Sequence, residues 1–163
     1  REIAEKFGWK KPVLVHHHLL MGLQAGGRMD YSREEVQMEL KMSKSRPETA
    51  IYVTDPPEEI VRKLKKAYCP AKELDNNPVI DIVRHVILRR EGDELTVERP
   101  EKFGGTVTYT SFGELAKDFR EGALHPLDLK SAVARWLADA LEPVRHYAEK
   151  HPEILKIAEH TTR

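Results

Sequence analysis

The segment that decides the fold is DPPEEIVRKLKKAYCPAKELDNNPVIDIVRHVIL, residues 55–88, because it contains two helix starts. Asp55 as N-cap, Pro56 at the first helical position and Glu58 at the third predict where the first helix begins. The apolar positions that share one face of this helix are Ile60, Leu64 and Ala67. A helix with one apolar stripe packs that stripe against other elements, so a helical core is expected.

A second helix is predicted to begin at Asn77 and Pro78 and to continue through Leu88. Its apolar residues cover a broad face and are Val79, Ile80, Val83, Val86 and Ile87. Burial of that whole face is expected.

The C-terminal half continues the helical pattern after a small β element. Alternating residues in Leu95–Val97 and Thr106–Thr110 predict two short strands. Ser111 and Glu114 form a capping box that opens a helix expected to end at Gly122. A last long helix is predicted from about Pro126 to Lys150, with an apolar stripe at Leu129, Val133, Leu137, Leu141 and Val144.

The N-terminal third has a mixed pattern. The segment of residues 1–9 is predicted to contain a helix that ends at Gly8, and Pro12–Val15 is predicted to form a short buried strand. Further predictions are a turn at Gly26 and Gly27, a helix over Ser32–Leu40, and a strand over Ile51–Val53.

The charge balance excludes one class of protein. Lys and Arg number 27, as do Asp and Glu, so the formal net charge is zero with the eight His neutral. Proteins that coat nucleic acid through bulk charge have a basic domain, so any such contact here must come from a few placed side chains. Lys63, Lys65 and Lys66 are interpreted as a solvated face, with phosphate contact as the alternative.

Cysteine usage and hydropathy point to the cytoplasm. The single cysteine, Cys69, cannot form an intrachain disulfide, which favours a reducing compartment. The longest apolar runs, Val13–Val15 and Leu19–Leu23, fall short of the roughly 20 residues that cross a bilayer. A cytoplasmic protein without membrane contact is therefore expected. Because the chain opens at Arg1, we expect it to be a piece of a longer protein.

One short motif carries chemistry. Lys41, Met42, Ser43, Lys44 and Ser45 spell KMSKS. Two ammonium groups three residues apart on a loop, flanked by hydroxyls, can close over a polyphosphate and stabilise the charge that grows on it. A solvated basic linker is the alternative interpretation, because short motifs also occur by chance.

Six segments in register carry a resemblance to a known family. They are KPVLVHHHLLMGL (Lys11–Leu23), KMSKS (Lys41–Ser45), KKAYCPA (Lys65–Ala71), NNPVIDI (Asn76–Ile82), ERPEKFGG (Glu98–Gly105) and LHPLDLK (Leu124–Lys130). Over nearly its whole length the chain resembles the tyrosyl-tRNA synthetases of the archaeal and eukaryotic type, from the last strand of the catalytic domain to the C-terminus.

The resemblance implies a fold that is mainly α. Residues 1–54 would be the C-terminal end of a class I synthetase catalytic domain, which is a Rossmann-type α/β domain, and would carry the KMSKS loop. Residues 55–163 would be a helical anticodon-binding domain with a small β element.

The resemblance also implies an activity, tyrosine–tRNA ligase. The intact enzyme would use ATP, with Mg²⁺, to convert tyrosine to tyrosyl adenylate and then transfer it to tRNA(Tyr). Lys41 and Lys44 would be catalytic, holding the pyrophosphate as it departs. The ATP-binding residues implied are Met21, Gly22, Lys41, Met42, Ser43, Lys44 and Ser45.

Three further residues are implied to read the first anticodon base, a guanine: Phe103, His125 and Asp128. An aromatic ring gives a splayed base a stacking surface. A carboxylate can accept from both N–H groups on the Watson–Crick edge of guanine, a donor pair that adenine lacks. The alternatives are that Phe103 covers a core and that Asp128 caps the last helix.

Some parts of the family pattern are not found in these 163 residues, among them the His-x-Gly-His signature, the tyrosine pocket and the dimer-forming insertion. We therefore expect the isolated chain to be inactive, and the intact enzyme to be a homodimer through regions outside this sequence. The alternative function is a non-catalytic tRNA-binding or interaction module of synthetase origin.

The run His16, His17, His18 raises the question of a metal. Adjacent residues on a strand point to opposite faces, so three in a row cannot all bind one ion. The expectation is that the protein holds no tightly bound metal.

Overall fold

The computed structural model of the protein describes residues 2–25, 41–43 and 46–155, and most of the regular structure within them is helical. In chain order the elements are α1 (Glu2–Lys6), a 3₁₀ turn (Pro47–Thr49), α2 (Pro57–Lys66), α3 (Pro78–Ile82) with a π-helical continuation (Val83–Ile87), β1 (Leu95–Val97), a second 3₁₀ turn (Glu101–Phe103), β2 (Val107–Tyr109), α4 (Phe112–Glu121) and α5 (Pro126–Lys150).

The core lies around the long helix α5. Helix α2 and strand β1 pack against α5, and α3 contacts it as well. The stripe predicted for α2 is confirmed, since Ile60 and Leu64 have no exposed surface and Ala67 is buried. Of the α5 stripe, Leu129, Val133 and Leu137 are buried, Leu141 is partly buried and Val144 is exposed.

The start of α2 differs from the prediction. The helix begins at Pro57 with Pro56 as its N-cap, so Asp55 does not cap it. The Asp55 carboxylate instead accepts a hydrogen bond from the Tyr52 N–H at 2.9 Å and from the Lys63 ammonium at 2.6 Å. Both donors meet the same oxygen, Oδ2, so the carboxylate is directed to Tyr52 and Lys63 and not to the first N–H groups of the helix.

Lys63 was predicted to be solvated, and this is wrong. Only 3% of Lys63 is exposed, and its Nζ lies 2.6 Å from Asp55 and 4.8 Å from the centre of the Tyr52 ring. An ammonium group buried this deeply needs a paired carboxylate, because the uncompensated charge would lose its hydration. Lys65 and Lys66 are exposed, as predicted.

Removing one charge of this buried pair should lower the free energy of unfolding of the chain. Asp55→Asn leaves the Lys63 ammonium without its charged partner, so the free energy of unfolding is expected to fall by about 3–5 kcal/mol. Chemical denaturation followed by circular dichroism measures it. Lys65→Met on the exposed face of the same helix is the control, with an expected change within about 0.5 kcal/mol. Equal, small losses for the two variants would show that the pair does not matter.

The second predicted helix is confirmed at its start. The Asn77 side chain accepts from the N–H groups of Val79 and Ile80 at 3.2 and 3.3 Å, and Pro78 is the first helical residue. The helix widens after Ile82 into a π-helical turn, closed by the Leu88 N–H donating to the Val83 carbonyl at 2.8 Å.

The small β element and α4 agree closely with the predictions. Strands β1 and β2 pair antiparallel, with Leu95 opposite Tyr109. The Ser111 hydroxyl caps α4 by accepting from the Glu114 N–H at 3.3 Å, and Gly122 ends the helix in the left-handed region at φ +88°. Burial raises the pKa of Tyr109, and its hydroxyl donates to Asp118 at 2.9 Å.

The N-terminal third fits the predictions less well. Helix α1 is present and Gly8 follows it with φ +66°, as predicted. Residues 12–15 form no strand, and Val13 and Val15 are 91% and 86% exposed. A strand needs a partner for its backbone groups, and none of the described residues pairs with this segment.

Two more predictions concern this third of the chain. Residues 51–53 do not form the predicted strand. The turn at Gly26 and Gly27 and the helix over Ser32–Leu40 lie outside the described residues. Among the helices that the structure describes, none is long and apolar enough to cross a bilayer.

Candidate functional site

Two segments that hold predicted ATP-binding residues lie side by side. Met21 and Lys41 form an isolated antiparallel bridge, and the Met42 N–H donates to the Leu20 carbonyl at 3.1 Å. Gly22 is buried beside this bridge, whereas Lys41 is exposed. The structure therefore brings together Met21, Gly22, Lys41, Met42 and Ser43. Lys44 and Ser45 lie outside the described residues.

The bridge is held against the helices by residue Leu23. Its side chain has no exposed surface and belongs to the same core as α2 and α5. Its N–H donates to the Thr49 carbonyl at 2.8 Å, and its carbonyl accepts from the Tyr68 N–H at 2.7 Å. Sequence reasoning missed this contact, because a leucine beside a glycine gives no sign of a partner 45 residues later.

Arg62 on α2 reaches the segment that follows KMSKS. Its guanidinium donates to both carboxylate oxygens of Glu48, at 2.9 and 2.7 Å, and to Glu59 at 2.7 and 2.6 Å. These hydrogen bonds lower the pKa of both carboxyl groups and raise the pKa of Arg62. Arg62 therefore connects the 3₁₀ turn after the motif to the helical core. No local pattern in the sequence predicts this pairing.

Phe103 is presented to solvent. It ends the second 3₁₀ turn, and 61% of it is exposed, so the alternative that it covers a core is wrong. The Lys102 ammonium lies 4.9 Å from the centre of the Phe103 ring. The next residue, Gly104, has φ +96°, and a Cβ there would lie 3.2 Å from Arg99 Nη2, so both its backbone and its surroundings favour glycine.

Arg99 fixes the loop that carries Phe103 against the turn before α5. Its Nε donates to the Gly105 carbonyl at 3.0 Å, and its Nη1 donates to the Ala123 carbonyl at 2.7 Å. Ala123 lies two residues before His125. One side chain thus connects the two loops that hold the predicted base-reading residues. Sequence reasoning did not single out Arg99, although it stands inside the quoted ERPEKFGG segment.

The last helix is capped by His125, not by Asp128. The Nδ1 atom of His125 accepts from the Leu127 N–H at 3.2 Å, which leaves Nε2 to carry the proton of the neutral ring. Asp128 lies in the first turn, partly buried, and makes no hydrogen bond or ion pair with the part of the chain that the structure describes. The capping alternative for Asp128 is therefore wrong.

The histidine run divides between solvent and the helices. His16 and His17 are exposed, whereas the Nε2 of His18 lies 2.8 Å from Asp81 Oδ1 on α3. The His18 ring stacks on His85, with ring centres 3.8 Å apart. Burial lowers the pKa of His85, and the neighbouring His18 acts in the same direction.

Comparison with known sequences gives a consistent picture. The sequence model of the family "tRNA synthetases class I (W and Y)" matches residues 1–142. The chain is 51% identical over 170 residues to the tyrosine–tRNA ligase of Thermococcus sibiricus and 56% identical over 151 residues to that of Pyrococcus horikoshii. These matches take in 96% and 90% of this chain but 45% and 40% of the relatives. The chain thus spans less than half the length of these relatives.

Solved structures agree. The tyrosyl-tRNA synthetase of Pyrococcus horikoshii, complexed with L-tyrosine, superposes with a TM-score of 0.80 at 54% identity, over 89% of this chain and 40% of that one. The tyrosyl-tRNA synthetase of Aeropyrum pernix superposes with a TM-score of 0.76 at 41% identity, over 98% and 42% of the two chains.

Proposed function

Because this chain belongs to the class I tRNA synthetases of the tryptophan and tyrosine type, we propose that it is part of a tyrosine–tRNA ligase. The supporting observation is its identity of 51–56% to tyrosine–tRNA ligases across a span that contains both KMSKS and the two loops joined by Arg99. The reaction would form tyrosyl adenylate and pyrophosphate from tyrosine and ATP, and then esterify tRNA(Tyr). Residues 1–54 would complete the catalytic domain, and residues 55–163 would bind the anticodon.

In this proposal the KMSKS lysines serve adenylate formation. ATP would enter with its Mg²⁺ as substrate, and Lys41 and Lys44 would hold the pyrophosphate oxygens as the bond to the α-phosphate breaks. Phosphoryl chemistry depends mainly on positioning and on neutralising oxygen charge, which two ammonium groups supply. The bridge between Met21 and Lys41 supports the proposal, since it sets Met21 and Gly22 beside the motif, where the adenine would lie.

The base-reading residues would act together on guanine. Phe103, which is exposed, would stack on the splayed base, a contact typically worth about 1–3 kcal/mol. Asp128 would accept from two N–H groups of the base, and its lack of a described partner leaves its oxygens available. His125 would offer its Nε2 proton to an oxygen of the RNA, because Nδ1 already accepts from Leu127.

The remaining partners follow from the same proposal. The intact ligase would be a homodimer through regions outside this chain, and would act in the cytoplasm, where tRNA is charged. A non-catalytic module of synthetase origin is the less favoured alternative, because the relatives that match most of this chain are ligases.

The isolated chain should separate RNA binding from catalysis. We expect it to show no tyrosine-dependent exchange of pyrophosphate into ATP, because the His-x-Gly-His signature and the tyrosine pocket are not found in its 163 residues. Radiolabelled pyrophosphate exchange measures this. Exchange above background with this chain alone would contradict the division of roles.

The same isolated chain should still bind tRNA(Tyr). Filter binding is expected to favour the transcript with guanine at the first anticodon position over the transcript with adenine there. Phe103→Ala should weaken binding by about 5- to 150-fold, the loss that corresponds to one stacked base. Equal binding of both transcripts by the unaltered chain would remove the anticodon role. The matched control is Phe7→Ala, on an exposed aromatic residue just after α1.

A further inference from the structure

Three potential metal ligands from two distant parts of the chain meet at one point. They are His18, which lies three residues before Met21 of the antiparallel bridge, and Asp81 and His85, which lie one helical turn apart on α3 and its continuation. His18 Nε2 is 2.8 Å and His85 Nε2 is 3.6 Å from the same Asp81 oxygen, Oδ1. One ligand atom from each residue lies within 4.8 Å of the others.

These spacings are close to those of a bound ion. In a tetrahedral site with ligands about 2.0–2.2 Å from the metal, the ligand atoms are about 3.3–3.6 Å apart. The two imidazole rings are stacked, with 18° between their planes, so they do not yet point at a common ion. Tilting one ring would aim both at a common ion, at the cost of the hydrogen bond between His18 and Asp81.

We propose that His18, Asp81 and His85 bind one transition-metal ion of the Zn²⁺ type. Two imidazoles and one carboxylate match the donor preference of Zn²⁺, whereas Mg²⁺ and Ca²⁺ prefer sites made of oxygen alone. Three protein ligands leave the fourth tetrahedral position open to water or an anion. This site uses only one member of the histidine run, so the argument against three adjacent ligands does not apply to it.

The surroundings support an ion with an open position. The Met21 N–H donates to Asp81 Oδ2 at 2.9 Å, which holds the carboxylate beside both imidazoles; His18 Nε2 lies 2.8 Å from Oδ1 and 3.1 Å from Oδ2. The site opens into a cavity of about 540 Å³ whose charged lining, besides the proposed ligands, is the basic residues Arg84, Lys117 and Arg120 and the carboxylate of Asp75. The three basic side chains would attract an anion bound to the metal. The side chains of His18 and His85 are 43% and 33% exposed, so the metal ion can reach the site from solvent.

The site would also link two parts of the fold. His18 and Met21 belong to the segment beside KMSKS, and Asp81 and His85 belong to the helical part. An ion bound only by the folded chain stabilises it by mass action. Metal binding should therefore hold the segment from His18 to Met21 more firmly on the helices.

Titration of Zn²⁺ into the untagged 163-residue chain tests the proposal. Isothermal titration calorimetry should give one ion per chain, and Co²⁺ in place of Zn²⁺ should give the visible absorption of a tetrahedral site. A hundredfold excess of Zn²⁺ over its Kd should raise Tm by roughly 5–11 °C. Each of His18→Ala and His85→Ala should weaken binding by at least about tenfold, since even outer partners of a metal site are worth about 10–100-fold.

The controls are histidines that the site does not use. His17→Ala, next to His18 in the run, and His146→Ala, exposed on α5, should bind Zn²⁺ as the unaltered chain does. Far-UV circular dichroism verifies that each variant is folded, and two single variants on different segments guard against misfolding of either. Undiminished binding in both His18→Ala and His85→Ala would overturn the proposal. So would a loss in His17→Ala equal to that in His18→Ala, because the ion would then lie on the histidine run.

Discussion

Lys44→Ala is expected to slow tyrosyl-adenylate formation by about 10²–10³-fold, the usual effect of removing one group that stabilises transition-state charge. The host for this variant is a chimera in which the present chain replaces the matching 40% of the Pyrococcus horikoshii ligase. The Kd for tyrosine should stay nearly unchanged, because the lysine would act on pyrophosphate. Single-turnover kinetics measure the rate of adenylate formation separately from tyrosine binding.

The matched control for this prediction is Lys10→Ala, which removes an exposed lysine outside the motif. It should leave both the rate and the Kd for tyrosine as they are. If Lys44→Ala weakened tyrosine binding as much as it slowed the reaction, the lysine would contribute uniform binding, and its transition-state role would be refuted.

Asp128→Asn should reduce discrimination for guanine at the first anticodon position by about 5- to 150-fold, since a bidentate contact to a base contributes about 1–3 kcal/mol of discrimination. The asparagine keeps the shape but replaces one acceptor with a donor, which meets the N–H groups of guanine unfavourably. The measurement is the ratio of kcat/KM for charging transcripts with guanine and adenine at that position. Adenylate formation, which needs no tRNA, should not change.

A second carboxylate on the same helix provides the control. Asp139 lies three turns further along α5, where its side chain is exposed. Asp139→Asn should leave the ratio of kcat/KM for the two transcripts unaltered. A ratio that is the same in Asp128→Asn and in the unaltered chimera would remove Asp128 from base recognition, and would leave its unpaired state without a functional explanation.

Local signals predicted the helices well. Asn77 and Ser111 cap the helices they were expected to cap, and α5 runs over the predicted Pro126–Lys150. The two caps accept from N–H groups only two or three residues later, so side chains from distant parts of the chain seldom compete for them. Asp55 shows the opposite case. Its carboxylate had a capping position in the sequence, but a buried ammonium eight residues later binds it more strongly.

Contacts that join distant segments could not be predicted from the pattern. Arg62 and Glu48 are 14 residues apart, Arg99 and Ala123 are 24 apart, and His18 and Asp81 are 63 apart. No periodicity relates such pairs, because the packing of whole elements decides which side chains meet. The predicted strand at residues 12–15 failed for a related reason, since β-branched residues favour a strand only where a neighbour can pair with it.

The residues of the candidate site were predicted, but their surroundings were not. Resemblance supplied the residue identities, including Phe103, His125 and Asp128, and their roles stay predictions. The structure adds physical conditions for those roles: an exposed ring, a cap that belongs to His125, and an arginine that joins the two loops. Only the three-dimensional arrangement could show that His125 and not Asp128 caps α5, because the two residues stand three positions apart at the start of the same helix.

The most direct test of the whole account is tyrosine charging by the chimera itself. If the present chain supplies the KMSKS loop and the anticodon domain of a tyrosine–tRNA ligase, the chimera should charge tRNA(Tyr) with tyrosine within about tenfold of the parent rate, a difference of only about 1.4 kcal/mol in the transition state. A chimera that folds, binds tyrosine and binds tRNA(Tyr), yet forms no tyrosyl adenylate, would contradict the account and identify the chain as a non-catalytic module.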